Sequence, residues 1–380
     1  MVSDRLARFG SSVFTEISVL ARRHGAIDLG QGFPGWEGPA FVKAEAARAL
    51  EHESNQYPPS IGVPVLREAI TERWLKDTGD RIDADANVTV TSGCTEALAA
   101  TFLGLFEPGD EVILFEPFYD AYPVGCSLAG AVPRFVTLRP PHFAVPEEEL
   151  RAAFTPNTKA IVVNTPHNPT GHVFSRAELQ LVADLCLEHD VIAITDEVYE
   201  RIVYDAEHLR LATLPGMWER TLTLSSIGKS FSLTGWKTGW AIGPEPLTKA
   251  VRAAHQFLTF TTPNPMQYGS AVAVSAPESY FAELAASYRS KRDLLAGGLA
   301  DLGFEVSLPD GAYYILADHR GFGFADDVAF VHHMVERAGV AAIPPSAFYS
   351  DPADGKNLVR FAFCKTEEVL GEALARMRAL

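Results

Sequence analysis

The chain has 380 residues, 47% of them hydrophobic, enough to bury the core of two lobes. Its 32 basic and 48 acidic residues leave a net charge of −16, which argues against nucleic acid or an anionic membrane as partner. The N-terminus MVSDRLARFG has no apolar leader core, and the longest uncharged run, 256–277, is broken by Thr, Pro and Asn, so a cytoplasmic globular protein with small-molecule partners is expected.

Cys94, Cys126, Cys186 and Cys364 are widely spaced with no CxxC pair, which points to reduced thiols rather than a disulfide framework or a zinc ribbon. From the N-terminus, Val13, Phe14, Ile17, Leu20 and Ala21 recur at helical spacing behind Ser11 and Ser12, which can cap the helix. In LGQGFPGWEGP, Gly30, Gly32 and Gly35 satisfy GxGxxG, the fingerprint of a nicotinamide or flavin oxidoreductase. That fingerprint needs a helix N-terminus directly after it to receive a pyrophosphate; Pro34 lies inside it and Trp36, Gly38 and Pro39 follow.

Residues 55–70 read as a turn carrying Tyr57 and then a helix from near Pro64. Strand 88–93 runs into helix 95–106, and the free amides at Gly93, Cys94 and Thr95 form an anion site. The buried strand in 111–122 ends in aromatics, Phe118 among them, at the edge where open α/β sheets bind ligands, and 131–138 is a further strand. Apolar residues 160–163 end in NTPHNPTG, whose prolines and glycine cannot continue a strand; a helix capped by Ser175 follows over 175–190. Asp196 closes the apolar run VIAI, where a carboxylate is costly unless it meets a cation.

The stretch 225–240, SSIGKSFSLTGWKTGW, follows the apolar run TLTL. Lys229 therefore falls where a buried strand gives way to an irregular loop, a setting that makes an amine a usable nucleophile and base. Ser225, Ser226, Ser230, Ser232 and Lys237 beside it suit a phosphate ester. Residues 246–260 read as helix, TTPNPMQY as a break and 277–302 as a long helix. The last third alternates short strands (FEVS, AYYILAD, VAAIP, LVRFAF) with helices 325–338 and 366–380, a smaller α+β lobe. His332 and His333, adjacent on a helix, point about 100° apart and are not a metal pair; no metal site is expected. Arg360 interrupts an apolar strand, and a buried guanidinium there wants a planar anion.

Taken together, SVFTEIS, LGQGFP, NQY, EPFYDAY, NTPHNPTG, TDEVYE, GKS and TGWK resemble, in order and over nearly the whole chain, the fold type I pyridoxal-phosphate aminotransferases of class I and II. TGWK is most similar to the branch acting on kynurenine, glutamine and methionine. The resemblance implies an α/β fold with a mainly parallel sheet in a large domain, 41–284, and a smaller α+β domain made of 1–40 and 285–380.

It implies pyridoxal 5′-phosphate as cofactor, held by Lys229 as a Schiff base. Gly93, Cys94, Thr95, Ser226 and Lys237 would take its phosphate, Phe118 would stack on its ring, and Asp196 would meet the ring nitrogen. Asn168 and Tyr199 would bond the phenolic oxygen. Arg360 would clamp the substrate carboxylate, with Gly32, Phe14 and Phe260 around the substrate, and Tyr57 would reach the phosphate site of a second copy in a homodimer. The substrates implied are amino acids and 2-oxoacids. No Lys or Arg occurs in 11–20, 31–36 or 256–268, which favours a neutral or aromatic side chain over a dicarboxylate. N-succinyldiaminopimelate aminotransferases share the wording, and a carbon-sulfur β-lyase on the same cofactor, the oxidoreductase and a cofactor-bearing regulator are the other readings.

Overall fold

Seven strands form the central sheet: β1 (Val88–Thr91), β2 (Glu111–Glu116), β3 (Val132–Thr137), β4 (Thr158–Asn164), β5 (Ile192–Asp196), β6 (Thr221–Ser226) and β7 (Gly239–Ile242). The computed structural model describes residues 2–7, 9–10 and 12–380. The strand order is β1-β7-β6-β5-β4-β2-β3, parallel except for β7, which runs against both β6 and β1. β2, β4, β5 and β6 are almost wholly buried, as expected of strands covered on both faces by crossover helices. The carboxyl ends of β1, β2, β4, β5 and β6 therefore share one edge, where Gly93, Asn164, Asp196 and Ser226 lie close to one another in the chain's topology.

Several element boundaries differ from the sequence expectation for local reasons. The helix after β1 starts at Gly93, because glycine takes the left-handed φ of 74° that the turn needs. β2 stops at Glu116, before Pro117, and 121–129 is helical despite Pro123 and Gly125. The expected break at TTPNPMQY is instead the start of helix Asn264–Val274, with Pro265 in its first turn, where a missing N–H costs nothing. The expected N-terminal helix is Val13–His24, after a single turn at Asp4–Ala7, with the Ser12 side chain accepting from Thr15 N; Ser11, the other expected cap, lies outside the described residues.

A second, antiparallel sheet contains β8 (Glu305–Ser307), β9 (Tyr314–Asp318) and β10 (Leu358–Ala362) in the order β10-β9-β8. Helix Glu278–Asp301, 24 residues long, contributes Phe281 to the core under β1 and β7 and Leu284, Tyr288, Leu295 and Leu299 to the core behind β9 and β10. That second core also takes Val198, Tyr199 and Ile202 from just beyond β5. Short strands Ile27–Asp28 and Val340–Ala341 pair in parallel, and Asp28 Oδ1 accepts from Gly30 N (2.8 Å) and Gln31 N (3.2 Å). The glycine loop is thus fixed between the first helix and β10.

That loop is not a dinucleotide fingerprint. Only a two-residue strand precedes it, and the next helix, Ala40–His52, starts five residues after Gly35 with no side-chain cap. Two of its glycines are required by close packing instead: a Cβ on Gly30 would meet Ile343, and one on Gly32 would overlap the Tyr314 hydroxyl. The oxidoreductase reading has no structural footing.

Candidate active site

A cleft of about 400 Å³ opens at the carboxyl edge of the large sheet and is closed from the other side by Arg360, Tyr314 and the glycine loop. That volume falls in the roughly 300–1,000 Å³ range of small-molecule sites. Phe14, Gly32, Gly93, Cys94, Thr95, Asn168, Asp196, Tyr199, Ser226, Lys229, Lys237 and Arg360 all line it. Residues up to 346 apart in sequence meet because both ends of the chain fold back over the sheet edge.

At one end of the cleft the helix Gly93–Leu105 presents its first amides, and its N-cap, Ser92, makes no side-chain capping bond. A Cβ on Gly93 would lie 3.2 Å from Lys237 Nζ, so the ammonium sits directly at that N-terminus. Lys237 takes a left-handed φ of 51°, an uncommon state for a residue with a side chain, and the backbone holds it at this position. Amides, ammonium and Ser226 make an anion site. Of the four serines expected here only Ser226 faces the cleft. Ser225 donates to Glu200 Oε1 at 3.3 Å, Ser232 donates to Trp36 O, and Ser230 is buried outside the cleft lining.

Asp196 is buried at the end of β5, at the wall of the cleft. Tyr122 Oη donates to its Oδ2 at 2.8 Å, and Cys94 Sγ lies 3.6 Å from Oδ1. Burial pushes its carboxyl above the ordinary range, against those donors and the charge of Lys229. Among the described residues no Lys, Arg or His forms an ion pair with it within 4.0 Å, so it is a buried acid with no directly paired cation among them. Asn164 Nδ2 braces the strand end by donating to Asp196 O at 2.8 Å, and Asn164 Oδ1 accepts from Asn168 N at 2.7 Å.

Arg360 is 1% exposed and has no carboxylate partner among the described residues. Its terminal nitrogens donate to Asn168 Oδ1 (3.1 Å) and Gly30 O (2.7 Å), its Nε is unpaired, and its plane packs against Tyr314, Phe14 and Phe348 at 4.3, 5.0 and 5.3 Å. Such a guanidinium is complementary to a ligand carboxylate. Lys229 Nζ stands in the middle, 3.5 Å from Gly32 O and 5.6 Å from the Tyr199 ring centre. The Tyr199 hydroxyl is 3.1 Å from that of Tyr314. The donor set therefore fits a ligand with a phosphate at one end, a cationic ring atom at Asp196 and a carboxylate at Arg360.

Three expected residues are not in this cleft. Phe118 is buried in the core under the sheet, its ring 5.4 Å from that of Phe135, while Tyr119 lines the cleft instead. Phe118 joins Val112 and Leu114 in one core, and the adjacent ring, Tyr119, is the one that reaches the cleft. Tyr57, 84% exposed, and Phe260 pack edge to face at 5.5 Å outside the cleft. Tyr119, Asp120, Tyr122, Val198 and Tyr314 were not singled out from sequence. The repeated aromatics of EPFYDAY and AYYILAD were the available signal, and which of each pair turns inward depends on the fold.

The sequence pattern described as Aminotransferase class I and II matches residues 25–377. A probable N-succinyldiaminopimelate aminotransferase of Mycobacterium tuberculosis is 45% identical over 100% of this chain and 98% of its own, and the solved structure of that enzyme superposes with a TM-score of 0.96 over 100% and 99%. A methionine aminotransferase of Escherichia coli is 38% identical over 99% and 98%, its solved structure again at a TM-score of 0.96 over 100% of both chains. A kynurenine–oxoglutarate transaminase of Dictyostelium discoideum is 39% identical over 98% and 94%. The chain belongs to the class I and II aminotransferase family, and is a transaminase that depends on pyridoxal 5′-phosphate.

Proposed function

We infer that this enzyme moves the amino group of a neutral or aromatic amino acid, of the methionine, glutamine, phenylalanine or kynurenine type, to a 2-oxoacid. The observation that carries this reading is the charge of the cleft lining. Among the described lining residues the only cations are Lys229, Lys237 and Arg360, each with a task, and the remaining walls include Phe14, Phe33, Tyr119 and Tyr314. Asp120 lines the same space; burial raises its pKa and the charge of Arg360 opposes that shift. A distal carboxylate would meet rings and a second acid, an arrangement that leaves its charge unpaired.

When bound, pyridoxal phosphate supplies an aldehyde that takes up the amino group and a ring that accepts the electrons released at the α-carbon. Lys229 is the residue that holds it, and its Nζ, once released, moves the substrate α-proton. Gly93, Cys94, Thr95, Ser226 and Lys237 hold the phosphate, Asp196 keeps the ring nitrogen protonated, and Asn168 and Tyr199 bond the phenolic oxygen. Tyr119, rather than Phe118, is the aromatic in reach of the ring. Arg360 orients the substrate carboxylate, with Gly32 leaving room beside it.

In this reading the large domain is 41–284 and the small domain 1–40 with 285–380. Exposed Tyr57 and Phe260, packed edge to face, form an aromatic pair that suits a second copy, so the enzyme is a homodimer in which Tyr57 and Phe260 complete the other copy's site. Buried thiols at Cys186 and Cys364, both with pKa values pushed up by burial, suit a reducing cytoplasm. Among the described residues no helix is long and apolar enough to cross a membrane.

The 45% identity to the Mycobacterium tuberculosis enzyme favours a second reading, N-succinyldiaminopimelate as amino donor. A substrate panel separates them: methionine, glutamine, phenylalanine or kynurenine should exceed aspartate and the succinylated substrate in kcat/KM by up to roughly 10⁴-fold. Highest efficiency with the succinylated substrate or aspartate would show that a cation from outside the described lining enters the cleft. Borohydride reduction and peptide mapping should label Lys229; a label on Lys237 would overturn its role. Sedimentation of the active form as a monomer would remove the shared site.

A further inference from the structure

Behind the anion site lies a buried ion pair that none of the expected roles uses. His255, on helix Glu245–Leu258, is 1% exposed, and Glu96, on the helix that begins at Gly93, is 8% exposed. His255 Nδ1 lies 3.0 and 3.2 Å from the two Glu96 oxygens, and its Nε2 lies 2.7 Å from Ser60 O. A backbone carbonyl only accepts, so Nε2 carries a proton, and the carboxylate on the other side holds one at Nδ1 as well. Burial works against the imidazolium, yet the hydrogen bond and charge of Glu96 outweigh it and raise the histidine's pKa above its ordinary value. The pair is thus an imidazolium and a carboxylate with no net charge.

Its location gives it consequence. Glu96 Oε2 accepts from Ser92 N at 3.0 Å, and Ser92 immediately precedes the amides of Gly93, Cys94 and Thr95 that face the cleft. Glu96 therefore fixes the entry of the chain into this helix. It also sets a full negative charge one turn inside the N-terminus that would receive a phosphate, where an unneutralised carboxylate repels it. On its other side His255 holds the 54–62 loop through Ser60, and its own carbonyl accepts from Phe260 N at 3.1 Å. Phe260 of the exposed aromatic pair is held from here, and Tyr57 packs against it.

We propose that His255 is a positioning residue for the cofactor phosphate: it neutralises Glu96 so that the Gly93 amides and Lys237 attract the phosphate without opposition. This rests on the assignment of Gly93, Cys94, Thr95, Ser226 and Lys237 to the phosphate. The role differs from a packing role because it distinguishes pyridoxal phosphate from pyridoxal, which has no phosphate.

The test is a titration of the full-length apoenzyme with each of the two compounds, read by absorbance and by the melting temperature of the apo form. His255→Gln should weaken pyridoxal phosphate about tenfold or more and pyridoxal less than twofold. Glu96→Gln, which removes the anion and keeps an acceptor for Ser92, should bind pyridoxal phosphate within threefold of wild type, and the double variant should recover most of what His255→Gln loses. Should His255→Gln fail to fold, the Glu96→Gln result and His255→Lys, which keeps the cation and should keep the preference for the phosphorylated compound, decide the matter. Equal weakening of both compounds, or no weakening of either, overturns the proposal. Lys237→Ala serves as the reference: if it lowers only phosphate-dependent binding while His255→Gln does not, His255 has no such role. If Lys237→Ala changes neither compound, the phosphate assignment itself falls.

Discussion

The Arg360 guanidinium donates to Asn168 Oδ1 at 3.1 Å across 192 residues of chain, joining β10, the edge strand of the small sheet, to the turn that follows β4. The bond is between a charged donor and a neutral amide, so it orients the arginine without neutralising it. The charge is left for the substrate.

Replacing Arg360 by lysine keeps a cation but loses the planar pair of donors and the stacking on Tyr314 and Phe14. We expect kcat/KM for the amino donor to fall about 10²-fold or more, equivalent to about 3 kcal/mol, with the absorbance of the bound cofactor unchanged. Kinetics within threefold of wild type would mean that the carboxylate binds elsewhere.

Gly32→Ala places a methyl group on the Tyr314 hydroxyl and 2.9 Å from its Cζ. An overlap of this kind in a packed site should cost about 1–3 kcal/mol in thermal unfolding and lower turnover. Adding Tyr314→Phe removes the oxygen and should recover part of both losses; an additive double variant would show that the two residues do not collide.

Asp196→Asn should retain cofactor and lose roughly 10²-fold or more in kcat, because an amide cannot stabilise a buried cation by charge. Tyr122→Phe, which removes one 2.8 Å bond to the same carboxylate, should lose about tenfold or less. The order of the two effects in steady-state assays is the check, and equal losses would make Tyr122 more than a support.

The turn that carries Asn168 should make the fold acid-sensitive. Burial, and the nearby His172, hold the pKa of His167 down to about 3, and its Nδ1 lies 2.8 Å from Thr170 Oγ1. An unfolded histidine titrates near ~6.5, so below that pH the unfolded chain binds a proton that the folded chain does not. Stability should then fall as the pH drops from about 6.5 toward 3, by up to about 1.4 kcal/mol per pH unit. Urea unfolding at pH 7, 6 and 5 measures the slope above the range where carboxylates titrate. His167→Gln should flatten it, and an unchanged slope would place the proton uptake elsewhere.

How much of this was legible beforehand follows from what kind of information each feature needs. Strand and turn chemistry are local, so the apolar runs ending at Asp196 and before Lys229, the NTPHNPTG turn and the Gly93 helix start could be read directly, and with them the α/β class. Twelve of the expected positions line the cleft, some of them, such as Phe14, Gly32, Asn168 and Tyr199, expected from the family resemblance alone, and a parallel sheet brings the carboxyl ends of its strands to one edge. Phe118 lies in the core with Val112 and Leu114 while Tyr119 lines the cleft, and which of two adjacent rings faces the site is set by the surrounding fold; a helix at 121–129 that contains Pro123 and Gly125 carries no local sign of itself.

What the residues alone determined, then, is the set of chemical groups: an amine at a strand end, a buried acid, a buried guanidinium and a run of uncapped amides. Only the tertiary structure decided which of them lack partners within the chain. That neither Asp196 nor Arg360 forms an ion pair within 4.0 Å among the described residues depends on every neighbour around them, many supplied by distant segments. The same holds for the His255–Glu96 pair, 159 residues apart, since a histidine on a polar helix and a glutamate on an apolar one give no sign that they meet. Whether a charge is satisfied depends on distances in three dimensions, and that balance sets the chemistry of the site.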